Sequence, residues 1–149
     1  MNATALAAYA RSPQFIYVYD TGVSAIMAMV FIAGARPIAD LVGWPEAADV
    51  ITMMGVFLLS WALFNYALGT ARLPARSAVV ANITGDAIWA LGSVLLLATQ
   101  ASMFNGLGQA LVAVQALFVA TVLLTKLRGW PALIGTAKAS SPLGKVTIF

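Results

Sequence analysis

Four stretches of this chain are apolar for about twenty residues each, the length a helix needs to cross a ~30 Å hydrocarbon core. They run from about 14 to 35, 47 to 68, 77 to 98 and 104 to 124. A soluble fold of this size has no interior large enough to hide four such runs. The composition agrees: 62% of residues are apolar and 9% charged, against roughly 45–50% and 25% in soluble domains. The intervening loops are short, so consecutive helices must be antiparallel neighbours. The expected fold is an all-α membrane protein, a four-transmembrane-helix antiparallel bundle over residues 14–128. A segment 1–13 precedes it and a tail 129–149 follows.

The breaks between the runs carry start and stop chemistry. Arg36-Pro37 is expected to end helix 1, leaving a loop from 36 to 46 with room for a short helix opened by Pro37. Gly43-Trp44-Pro45 precedes helix 2, with Glu46 and Asp49 in its first turn where the helix dipole favours anions. Gly69 follows helix 2, Leu73-Pro74 with Ser77 as N-cap opens helix 3, and Ser102 or Asn105 caps helix 4. Lys126 and Arg128 suit the C-terminal end of helix 4, and Gly129 with Pro131 stops it. Ala33-Gly34-Ala35 resembles a leader cleavage site, but Asp20 interrupts the apolar run before it, so helix 1 is expected to be retained.

Basic residues set the orientation. Arg11, Arg72, Arg76, Lys126, Arg128, Lys138 and Lys145 fall on one side, and only Arg36 on the other. Both termini are therefore expected in the cytoplasm. Tyr17, Tyr19, Tyr66 and Trp130 then anchor the inner interface and Trp44 the outer one. The same distribution argues against a nucleic-acid partner, because the basic residues flank apolar runs instead of forming a patch. The chain contains no Cys and no His. Disulfides, thiolate chemistry, Cys/His metal sites and His-held haem are thereby excluded, along with the commonest general base. No cofactor is expected. Trp61-Ala62-Leu63-Phe64 and Gln115-Ala116-Leu117-Phe118 form a weak internal repeat, consistent with two duplicated hairpins or with chance.

Polar side chains at membrane depth are costly, which makes them functional candidates. Counting about 1.5 Å per residue from the cytoplasmic helix ends puts Asn65 ~5 Å deep, Asp20 ~9 Å, and Asp86 and Gln115 ~13 Å. Asn82, Asp86, Trp89 and Ser93 are spaced 4, 3 and 4 and share one face of helix 3, with Gly85 and Gly92 beside it. Asp20 and Ser24 are four apart in helix 1. In helix 4, Gln109, Ala113, Ala116 and Ala120 repeat the spacing as a small-residue face, with Gly108 and Gln115 on a neighbouring one. Asp86 has no cation at its expected depth, which leaves it protonated or hydrogen-bonded, with Gln115 as the nearest partner. It reads as interhelical hydrogen bonding, as a proton- or cation-handling site, or as a contact to a partner or cofactor.

The order of features resembles a loosely defined family of small, uncharacterised four-helix bacterial membrane proteins. The matching pieces are Ala35-Arg36-Pro37-Ile38-Ala39-Asp40-Leu41-Val42-Gly43 after helix 1, and Asn82, Asp86, Trp89, Gly92 and Ser93 in helix 3. Gly108 with Gln115-Ala116-Leu117 in helix 4 also fits. The likeness covers about residues 15–128. It implies the fold and brings no activity; the expected location is a bacterial inner membrane.

The resulting expectation is a non-enzymatic accessory or assembly subunit of a larger membrane complex, partnered by the bilayer and by other subunits or itself. An oligomeric proton- or cation-coupled small-molecule transporter using Asp86 is one alternative. A binder of lipid or another hydrophobic ligand is the other. Asp20 and Asp86 are the only acids within the spans beyond a first turn, and an intramembrane aspartyl hydrolase would have to use them as its pair.

Overall fold

A computed structural model describes residues 9–10 and 12–139, with side chains described as far as residue 133. Arg11 and Lys145, two of the basic residues used to orient the chain, lie outside the described residues. The elements are α1 (Phe15–Leu41), a 3-10 turn (Pro45–Ala47), α2 (Ala48–Thr70), α3 (Arg76–Gln100), a second 3-10 turn (Ala101–Met103) and α4 (Gly106–Ala139). The described residues are all-helical, and four helices are long and apolar enough to span a membrane. Their 23 to 34 residues correspond to roughly 35–50 Å of length.

Each helix turns a narrow stripe inward and leaves the rest exposed. In α2 the inward positions Ile51, Gly55, Leu58, Ala62, Asn65 and Gly69 alternate steps of 4 and 3, the repeat that keeps one seam facing its neighbours. Outward residues such as Leu63, Ile88, Leu91 and Leu117 are about two-thirds exposed, as suits a helix able to cross a membrane. The chain builds two hairpins, α1–α2 and α3–α4, whose backbones approach closely within each pair and much less between pairs. Gly55 permits the first approach. A Cβ there would lie 2.7 Å from Ile32 Cγ1 and 3.1 Å from the Ala28 carbonyl oxygen.

One apolar cluster closes the end where α1 begins: Tyr17, Leu68, Val79 and Leu133, with Phe64 and Trp130 packed on it. A second, Ala35, Ala39, Ala47 and Ile51 with Trp44, closes the far end of the first hairpin. Asn105 stitches the hairpins together at that end. Its Oδ1 accepts the Gly108 amide at 2.9 Å, its Nδ2 donates to the Leu41 carbonyl at 2.8 Å, and its amide donates to the Val42 carbonyl at 2.9 Å. Asn105 is thus the cap of α4. Gly43 turns the chain out of α1 at φ 81°, a left-handed conformation natural to glycine.

Three boundary expectations need correction. Helix 1 does not stop at Arg36-Pro37, because α1 runs through Pro37 to Leu41. A proline removes one amide and crowds the preceding turn, yet both can be absorbed close to a helix end. Ser77 does not cap helix 3: α3 starts at Arg76 after Ala75, with no side-chain cap. Helix 4 does not end near 124, since α4 continues through Gly129 and Pro131 to Ala139. The segment expected to be tail is therefore helical as far as Ala139, and Leu133 packs into the core. This extension moves Lys126 from a helix end to a helix interior.

Candidate functional site

The bundle centre is organised around one ammonium group. Lys126 is fully buried. Its Nζ donates to Asp20 Oδ2 at 2.6 Å, Asp86 Oδ2 at 2.7 Å, Asn82 Oδ1 at 2.8 Å and Asn65 Oδ1 at 3.0 Å. Asp20 comes from α1, Asn65 from α2, Asn82 and Asp86 from α3, and the lysine from α4, so every helix contributes. An ammonium has three protons, and four acceptors in range mean that one proton is shared. Below the Nζ, the ring of Tyr17 lies 5.0 Å away, within cation–π distance.

A second layer orients the acceptors. Ser24 Oγ donates to Asp20 Oδ1 at 3.2 Å. Asn82 Nδ2 donates to Asn65 Oδ1 at 3.2 Å, and Asn65 Nδ2 to the Trp61 carbonyl at 3.1 Å. Both asparagine oxygens are thereby turned toward the lysine. Helical spacing explains the convergence. Asn82, Asp86, Trp89 and Ser93 face Lys126, Val122, Val119 and Gln115 in antiparallel register, and both stripes step by 4, 3 and 4. Ser93 donates to Gln115 Oε1 at 3.4 Å at the far end of this ladder, and Lys126 meets Asn82 at the near end.

Charge is the governing constraint. Two carboxylates face a single ammonium, in a place where isolated ions are costly and water is scarce. The ion pairs offset most of the desolvation cost but leave one carboxylate charge without a cation. A proton or a bound cation would balance it.

Beside the carboxylates lies a cavity of about 80 Å³. Its polar lining is Asp20, Asp86, Ser24 and Gln115. Its walls include Phe57, Trp61 and Trp89, with the Phe57 ring stacked on Trp61 at 5.8 Å and on Trp89 at 5.6 Å. Lys126 is not among the lining residues. Gly85 makes room for this wall, because a Cβ there would collide with the Trp61 ring. Gly92, beside the same stripe, meets nothing within 4 Å.

Of the expected polar cluster, Asp20, Asn65, Asn82 and Asp86 meet at one point. Ser93 and Gln115 pair with each other further along the bundle. Asp86 is not without a cation, and its partner is Lys126 instead of Gln115. Both errors follow from ending helix 4 too early, which assigned Lys126 to the interface. Tyr17 also needs correction as an interface anchor. It is 1% exposed, and its ring forms the floor under the ammonium. Tyr19 and Tyr66 are exposed, whereas Trp44 packs edge-on against Phe104 at 5.5 Å and Trp130 against the terminal cluster. The small-residue face of helix 4 contributes mainly Ala116 to the interior. The sequence did carry a signal for the lysine: Gln115, Val119, Val122 and Lys126 form a stripe matching that of α3. Among the described residues, no group of three or more His, Cys, Asp or Glu side chains could hold a metal ion. No family model matches the chain, and neither a curated protein nor a solved structure does.

Proposed function

We propose that this chain is a non-enzymatic, multi-pass membrane protein whose bundle centre is a proton- or cation-handling site, serving a coupled small-molecule carrier. The observation that carries this reading is the Lys126 ammonium bridging Asp20 and Asp86 at 2.6 and 2.7 Å. Two acids against one base leave a charge that a single proton or ligand cation neutralises, and the cavity gives that exchange a place to happen. A purely structural clasp would be complete with one carboxylate per lysine. An intramembrane hydrolase is disfavoured, because the ammonium bridges the two carboxylates in the manner a catalytic water would. An accessory subunit ranks second, because the deep polar groups turn inward to Lys126 and offer nothing to a partner.

The test is infrared spectroscopy of the purified protein in lipid across pH. A carboxylic-acid band that comes and goes with pH, and is missing from a folded Asp20→Asn/Asp86→Asn variant, is the expected result. A band that is absent from the wild type, or unchanged in that variant, would overturn the reading. For orientation, we propose both termini on the cytoplasmic side of a bacterial inner membrane. Removing Lys126 from the interfacial count still leaves six basic residues opposing Arg36 alone. A reporter fused after Phe149 should read as cytoplasmic, and a periplasmic readout would reverse the topology.

A further inference from the structure

We infer that the cavity between the four helices binds a small organic monocation, an alkylammonium, in exchange for the proton held by the Asp20–Asp86 pair. The inference rests on the proton- or cation-handling reading above and adds the chemical class of the ligand.

Three observations fix the class. The first is the sign of the charge at the cavity. Asp20 and Asp86 line it and Lys126 does not. The lysine is also saturated, with four acceptors on three protons, so it has no donor left for an anion. A ligand entering this space meets carboxylate oxygen and no free cation. The second is the wall. Phe57, Trp61 and Trp89 line the same space as the carboxylates, with the Phe57 ring stacked against both indoles. Aromatic faces attract cations, most strongly when water is excluded. They suit an alkylated ammonium better than a hydrated metal ion, whose water shell they cannot replace. The third is size. About 80 Å³ holds a few waters or a compact organic molecule. Gln115 also lines the cavity, and its Nε2 is buried without a hydrogen-bond partner. It supplies a donor for a ligand that carries an acceptor near its ammonium.

The exchange balances. With the site empty, two carboxylates and one ammonium hold one added proton and are neutral. Entry of a monocation places its positive charge beside the carboxylates, and the proton leaves to water. No bond other than the O–H bond is broken, and the net charge of the site is unchanged.

The probe is tetramethylammonium chloride, titrated into the purified protein in micelles of a neutral detergent. Tryptophan fluorescence and proton release to a pH dye are both followed. Saturable binding is expected, with about one proton released per cation bound. Sodium acetate and tert-butanol, the anionic and neutral controls, should produce neither signal. Asp86→Asn keeps the shape of the side chain and should weaken binding roughly tenfold or more. Val119→Phe adds a ring to the cavity wall without altering a polar group. It should abolish cation binding while the pH-dependent carboxyl band persists. Equal binding of tert-butanol would overturn the inference in favour of a neutral hydrophobic ligand. So would a Val119→Phe protein that binds the cation as the wild type does. A wild type that shows the carboxyl band yet ignores tetramethylammonium refutes the ligand class alone. Loss of the band as well refutes the underlying reading.

Discussion

Lys126→Met removes the charge at the bundle centre while preserving the length and apolar character of the stem. In the wild type, the ammonium makes four contacts of 2.6 to 3.0 Å at 0% exposure. Hydrogen bonds from a charged donor are worth about 1.5–3 kcal/mol each, but their sum overstates the loss because the groups relax. The better guide is the cost of stranding a buried charge by deleting its partner, about 3–5 kcal/mol. Methionine fills most of the lysine's volume, so little cavity cost is added. Against a total stability of roughly 5–15 kcal/mol, that is a severe loss. The triple variant Asp20→Asn/Asp86→Asn/Lys126→Met removes all three charges together and should recover most of it, because replacing a complete buried ion cluster is often close to neutral. Arg128→Met, an exposed change on the same helix, should stay within about 0.5 kcal/mol. Equilibrium unfolding in mixed micelles, followed by tryptophan fluorescence and circular dichroism, measures all three. A Lys126→Met variant as stable as Arg128→Met would refute the reasoning. So would a triple variant no more stable than the single one.

Two further outcomes test the packing that holds the site. Gly55→Ala should cost about 1–3 kcal/mol, because the new Cβ meets Ile32 Cγ1 at 2.7 Å and backbone atoms at 3.1 Å. Gly92→Ala, which meets nothing within 4 Å, should be neutral or slightly stabilising; thermal unfolding in detergent separates the two. Asn105→Ala removes the α4 cap and the bond to Leu41. It should cost about 1–2 kcal/mol and speed hydrogen exchange in the first turn of α4, with exchange at Asn82 and Asp86 unchanged.

Sequence alone determined that four helices exist and that each is long and apolar enough to cross a membrane. That conclusion follows from the length of the apolar runs, a property of local chain composition that no packing arrangement can reverse. It also determined which polar residues are buried in α3, because Asn82, Asp86 and Ser93 share a face at helical spacing. The cap of α4 was legible as Ser102 or Asn105, since a cap depends on one side chain and the turn that follows it, and Asn105 fills the role.

Only the tertiary structure decided what those polar groups do. Arg36-Pro37 and Gly129-Trp130-Pro131 read as stops, because proline and glycine weaken a helix locally. Packing of α1 and α4 against their neighbours overrides that preference and carries both helices through. Once α4 continues, Lys126 sits a full stripe below Gln115, opposite Asn82, and its long side chain reaches Asp86 on α3 together with Asp20 and Asn65 on the remaining helices. The interaction joins residues 106 and 40 positions apart. No local pattern specifies such a meeting. It depends on the register in which α3 and α4 pair and on the angle at which the first hairpin docks, and the cost of leaving two buried carboxylates without their cation is what holds that register in place.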